Sequence, residues 1–143
     1  MKRMRNEKGA ALLEAAITVP IILLISVGIF EFGRAYQTQQ VLVNAAREGA
    51  RLAVIQGTQD PAIVTRVTDY LQAGGLITAA NKDSVKVVVN RAVAFSGTTA
   101  STVEVQYPFT FMVLNPVVRL IAPTDDKLGA PITMKATTLM RNE

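Results

Sequence analysis

Residues Ala10 to Phe30 read AALLEAAITVPIILLISVGIF, a nearly unbroken apolar run. At 1.5 Å per residue a helix of this length spans roughly 30 Å, the hydrocarbon thickness of a bilayer. Lys2, Arg3, Arg5 and Lys8 stand immediately before it, with Glu7 among them, so +3 of the formal +4 charge falls in the first nine residues. A basic cluster at that position reads as a topology signal: N-terminus cytoplasmic, remainder outside, in a single pass of the cytoplasmic (inner) membrane. What is left carries too little charge to track a phosphate backbone, which speaks against a nucleic-acid partner.

Three readings of this segment compete. A cleaved secretory signal needs a short apolar core and a small-x-small site, and Ser26-Val27-Gly28 is the nearest match, with the apolar run continuing through it. A plain signal anchor is the second. The third turns on Glu14, because a carboxylate in lipid is unfavourable by about 2.5–3.5 kcal/mol unless a partner meets it. Cutting the chain between Gly9 and Ala10 would free an ammonium at Ala10 and make Glu14 the fifth residue of the shortened chain. The acid could then pair with an amine of its own chain or of a neighbour, and so act as a register device for assembly.

A basic leader, a glycine, four small or apolar residues, a glutamate and an apolar helix resemble the cleavage region of type IV-type prepilins. The similarity sharpens beyond it. GAALLEAAITVPIILLISVGIFEFGR, then Gln40 and NAAREGAR at Asn44 to Arg51, is similar to the TadE-like family, whose recurrent marks are the EFGR and AAREGAR blocks. The match is strong over residues 9 to 56. The resemblance implies a structural, non-enzymatic subunit of a Tad/Flp pilus: a minor pilin or pseudopilin. Its partners would be membrane lipid, a prepilin peptidase, other Tad pilins and pseudopilins, and the Tad assembly platform. It implies a pilin-like fold, with residues 1–9 as leader, 10–30 as the transmembrane part of a long helix, 31–56 as its extramembrane part and 57–143 as a small α+β head.

The residues support that architecture independently. No stop signal interrupts a helix from about Ala10 to Gln56, roughly 70 Å long. Pro20 cannot donate to the carbonyl of Ala16 and should bend or loosen the helix locally. Ala45, Gly49 and Ala53 recur every fourth residue, as do Ala46 and Ala50, a spacing that admits another backbone closely. Packing against the chain's own sheet and packing against another subunit both satisfy that spacing. Arg47, Glu48 and Arg51 alternate in sign around the seam, with Glu48 and Arg51 spaced as an exposed helical pair. Glu31 and Arg34 flank the lipid boundary, where an acid beside an arginine needs no function to explain it.

Past Gln56, Asp60-Pro61 reads as an N-cap followed by proline at the first helical position. Ile63, Val64, Val67, Tyr70 and Leu71 then give a short amphipathic helix that stops at Gly74-Gly75. The period next changes to two. Val85, Val87 and Val89; Val103, Val105, Tyr107, Phe109 and Phe111; and Ile132, Met134 and Ala136 each mark one face of a strand. The first two form a hairpin across Ser96-Gly97, with a connection longer than a tight turn. Pro108 suggests that the middle strand bends or ends there. Residues 111–123 read as a short helix or loop over the sheet. The expected class is α+β: a long N-terminal helix, half transmembrane, with a small antiparallel three-stranded sheet packed on its outer half. Such a head is marginal alone, so the helix must supply one wall of its core.

The chain has no His and no Cys, which removes the commonest general base, metal ligand and thiol nucleophile. Asp125-Asp126 is the sole adjacent acid pair outside the membrane and fits a turn better than a cation loop. No glycine-rich phosphate loop is present. The residues therefore point to no enzyme, cofactor, metal or small-molecule substrate. The competing reading is a membrane-anchored adhesin or binding module of the cell envelope without leader processing.

Overall fold

The computed structural model describes residues 3–78, 81–116 and 130–142, with side chains from Lys8 onward. Helix α1 spans Arg3–Ala53, α2 spans Asp60–Ala73, and a 3-10 turn covers Lys82–Ser84. Three strands follow: β1 Lys86–Phe95, β2 Thr98–Phe109 and β3 Ile132–Arg141. They form one antiparallel sheet in the order β1-β2-β3. The class is α+β, as expected, with the sheet packed on the outer half of the long helix.

Strand β2 runs along α1 in the opposite direction. Arg34 lies over the Phe109 ring, Gly49 faces Val103, and Ala53 shares a groove with Ser101. From Arg34 to Ala53 a helix rises about 28 Å. From Ser101 to Phe109 a strand advances about 26 Å. The two lengths match, so β2 carries the head from the C-terminal end of α1 back to the end of the apolar run. The β1–β2 turn is the far end of the molecule, and the segment after Phe109 is the near end.

The core explains why small residues repeat on α1. Leu42, Ala45, Ala46, Ala50 and Ala53 are buried together with Ile63, Val67 and Leu71 of α2 and Val103, Val105 and Ala136 of the sheet. Each fully buried Ile, Val or Leu contributes about 1.5–3 kcal/mol of apolar transfer. That contribution needs the α1 backbone as its second wall. In α2 the inward residues are Ile63, Val67 and Leu71, while Val64 and Tyr70 lie toward its flanks and stay over a third exposed.

Several boundaries differ from the sequence expectation, each for a local reason. Helix α1 ends at Ala53 rather than Gln56, because the chain tightens to i→i−3 bonds (Ile55 N–H to Leu52 O, Thr58 N–H to Ile55 O) before Gly57 takes φ +83°. Gln59, not Asp60, is the N-cap of α2; Asp60 is its first helical residue and spends its carboxylate on Arg91 Nε at 2.7 Å. The hairpin connection is tight. Phe95 pairs with Thr98 around Ser96 (φ +47°) and Gly97 (φ +82°), the two positive φ values that match the twist of the strands. Pro108 does not end β2. It pairs with Thr133 of β3 and lies past Gln106, the last residue facing β1, so its missing N–H has no neighbour to serve on that side. Phe111 falls outside β2 and packs edge-on against Phe109, centroids 5.2 Å apart. Ile132 keeps its place in the alternation but is 52% exposed at the sheet's near end. Residues 114–116 are helical, while 117–123 and the Asp125-Asp126 pair lie outside the described residues.

Candidate functional site at the end of the apolar run

Among the described residues, α1 is the one helix long and apolar enough to cross a membrane, and its apolar window buries nothing against the head. Leu12, Leu13, Ile17, Ile21, Leu24 and Ile29 are all more than half exposed. Gly9 and Ala10 lie within continuous helix and are exposed, with open space where a Gly9 side chain would stand. Glu14 is exposed one turn further on, without an ion-pair partner among the described residues. Pro20 stands inside α1, which is helical on both sides of it.

At the other end of the apolar run the arrangement is closed. Glu31 is fully buried. Arg34 Nη1 donates to its Oε2 at 2.8 Å, the geometry expected one turn along a helix. Its Oε1 accepts the backbone N–H of Val113, from the segment that follows β2. Burial alone would disfavour a carboxylate here, and these charge-assisted bonds favour it. The Arg34 guanidinium in turn lies 5.3 Å from the centre of the Phe109 ring. Helix and sheet are thus clasped at the level where the chain leaves the apolar run. The EFGR block supplies both charged members. The sequence presents Glu31 as an interfacial acid, and what that view lacks is its distant acceptor role: no local pattern couples Glu31 to Val113.

The AAREGAR block sits one head-length away and divides by face. Ala45, Ala46, Gly49 and Ala50 are buried. A Cβ on Gly49 would stand 2.6 Å from Val67 Cγ2, 3.1 Å from Val103 Cγ1 and 3.6 Å from Ile63 Cγ2, so only glycine fits this crossing without a shift. The seam and Ala53 therefore pack within the chain. Glu48 accepts two bonds from Arg66 of α2, at 2.8 Å from Nη2 and 3.2 Å from Nε. Arg51 stands farther off at 3.7 Å. The Arg66 bond holds the Glu48 carboxyl below its ordinary value; partial burial opposes the shift, and the charges of Arg66 and Arg51 add to it. Arg47 is exposed and forms no ion pair among the described residues. Of the charges around the seam, Glu48 is committed to the chain's own second helix, while Arg47 and Arg51 face outward.

No curated protein and no solved structure matches the chain. A family model described as TadE-like protein matches residues 9–51. Those residues hold the exposed Gly9–Glu14 turn, the apolar run, the Glu31–Arg34 clasp and the small-residue seam, and over that segment the chain is similar to the TadE-like family.

Proposed function

We propose that this chain is a minor pilin or pseudopilin of a Tad/Flp pilus machine, cut between Gly9 and Ala10 by a prepilin peptidase. It assists initiation or assembly of the pilus or secretion machine. The leader (1–9) stays cytoplasmic, residues 10–30 hold the mature chain in the inner membrane, residues 31–56 extend the helix, and residues 57–143 form the head outside.

The observation that carries this reading is Glu14, an exposed carboxylate on an apolar helix long enough to span a membrane, four residues beyond the Ala10 whose amine hydrolysis would release. Unpaired in lipid it is unfavourable by about 2.5–3.5 kcal/mol. Pairing with the Ala10 ammonium of a neighbour removes much of that penalty only at one relative height. Association and register are then a single event. Pro20 supports the reading as a place where the helix can loosen on packing. Exposed Arg47 and Arg51 are available to neighbouring subunits. The family resemblance and the absence of His and Cys both favour a structural subunit over an enzyme.

Glu14→Gln tests the pairing directly. The variant should remain in the membrane, since it inserts more easily than the acid, yet fail to support pilus assembly. Normal piliation with Glu14→Gln would refute the proposed role of the carboxylate.

A further inference from the structure

The segment that follows β2 lies at the depth of the lipid boundary. Glu31 is one residue beyond the apolar run, and its carboxylate takes the N–H of Val113. Phe109 is held beneath Arg34, so the stretch from Phe109 to Val113 is fixed to α1 at both its ends, at levels about 5 Å apart. Phe111, Met112, Val113 and Leu114 are all apolar. Met112 is 62% exposed, and around this level Phe30, Phe32, Tyr36 and Ile132 are exposed as well. The charged groups of the clasp, Glu31 and Arg34, neutralise each other. Nothing in it would carry an unpaired charge into an interface.

We infer that Phe111–Leu114 is a second membrane contact: it seats the near end of the head in the headgroup and upper acyl region of the outer membrane face, beside the point where α1 emerges. The occupant of this apolar patch is lipid, because the patch continues the lipid-facing surface of α1 at the same height. Aromatic and long apolar side chains at the end of a span are the side chains that favour this layer. The Glu31–Val113 bond then has a second consequence: it sets the height of the head on the bilayer as well as closing the fold. The inference rests on α1 being membrane-spanning, and its test separates the two.

The chain has no Trp, so single substitutions give unambiguous fluorescence. The full chain carrying Met112→Trp is reconstituted in phosphatidylcholine vesicles without brominated lipid, with lipid brominated at a shallow acyl position, and with lipid brominated at a deep one. Leu23→Trp, in the middle of the run, reports the span; Phe95→Trp, at the far end of the head, reports water. The expected result is a blue-shifted Met112→Trp emission, quenched by shallow bromine, with Leu23→Trp quenched by deep bromine and Phe95→Trp by neither. Met112→Trp matching Phe95→Trp while Leu23→Trp is quenched overturns the inference and leaves the span intact. A blue shift that depends on protein concentration and not on bromine assigns the patch to a second copy and also overturns it. Loss of Leu23→Trp quenching overturns the span itself. Ile132→Trp, exposed at the same end of the sheet, repeats the measurement if Met112→Trp fails to fold.

Discussion

Gly49→Ala is the substitution whose outcome the packing decides most sharply. In an exposed helix the change is favourable by about 1 kcal/mol, because alanine loses less backbone freedom on folding. Here the new methyl would stand 2.6 Å from Val67 Cγ2 and 3.1 Å from Val103 Cγ1. Val67 lies within α2, where a β-branched side chain has one dominant rotamer, so it cannot swing aside. Overpacking of this kind is unfavourable by about 1–3 kcal/mol. The net prediction is destabilisation of the head by up to about 2 kcal/mol. In a Val67→Ala background the closest clash disappears, and the same Gly49→Ala change should turn neutral or favourable. Denaturant unfolding of the detergent-solubilised chain, followed by a probe in the head, reads all four members of the cycle. A coupling of about 1–2 kcal/mol between the sites is expected for neighbours in contact. Additive effects, or stabilisation by Gly49→Ala alone, would refute the claim that α1 and α2 meet at this glycine.

Two further outcomes follow from the ion pairs. Glu31→Ala leaves the Val113 N–H unmet at a partly buried position, an effect of about 1 kcal/mol. Glu31→Gln keeps an acceptor, so hydrogen exchange at the Val113 amide should be fast in the first variant and remain slow in the second. The Glu48–Arg66 contact predicts a pH dependence. The folded-state value of Glu48 is lowered from its ordinary 4.5, so its stabilisation is complete above that pH and lost as pH falls through the lowered value. Glu48→Gln should flatten that acid-side loss in a denaturation series.

The long helix was legible because its periodicity and lack of stop signals are local properties, and the strands because their alternation reports one buried face each. Alanine and glycine spacing at Ala45, Gly49 and Ala53 identified a close-packed seam without identifying its partner: small residues permit approach equally to a sheet, a helix or another subunit. Side-chain commitments across the fold were not legible. Glu48 looked paired with Arg51 because they share a helix, yet Arg66 reaches it with better geometry. Asp60 has the chemistry of an N-cap, and the position of Arg91 on a neighbouring strand drew it elsewhere. Glu31 shows the point most clearly. Its pairing with Arg34 is written in the spacing, whereas its bond to Val113 depends on where β2 delivers the chain.

Assembly through Glu14 depends on an amine being generated beside it. Intact mass of the membrane-extracted chain, from cells with and without a prepilin peptidase, measures this directly. Peptidase-positive cells should yield a chain beginning at Ala10, and peptidase-negative cells one that retains residues 1–9. Retention of residues 1–9 in cells that have the peptidase and assemble pili would contradict cleavage as the source of a partner for Glu14.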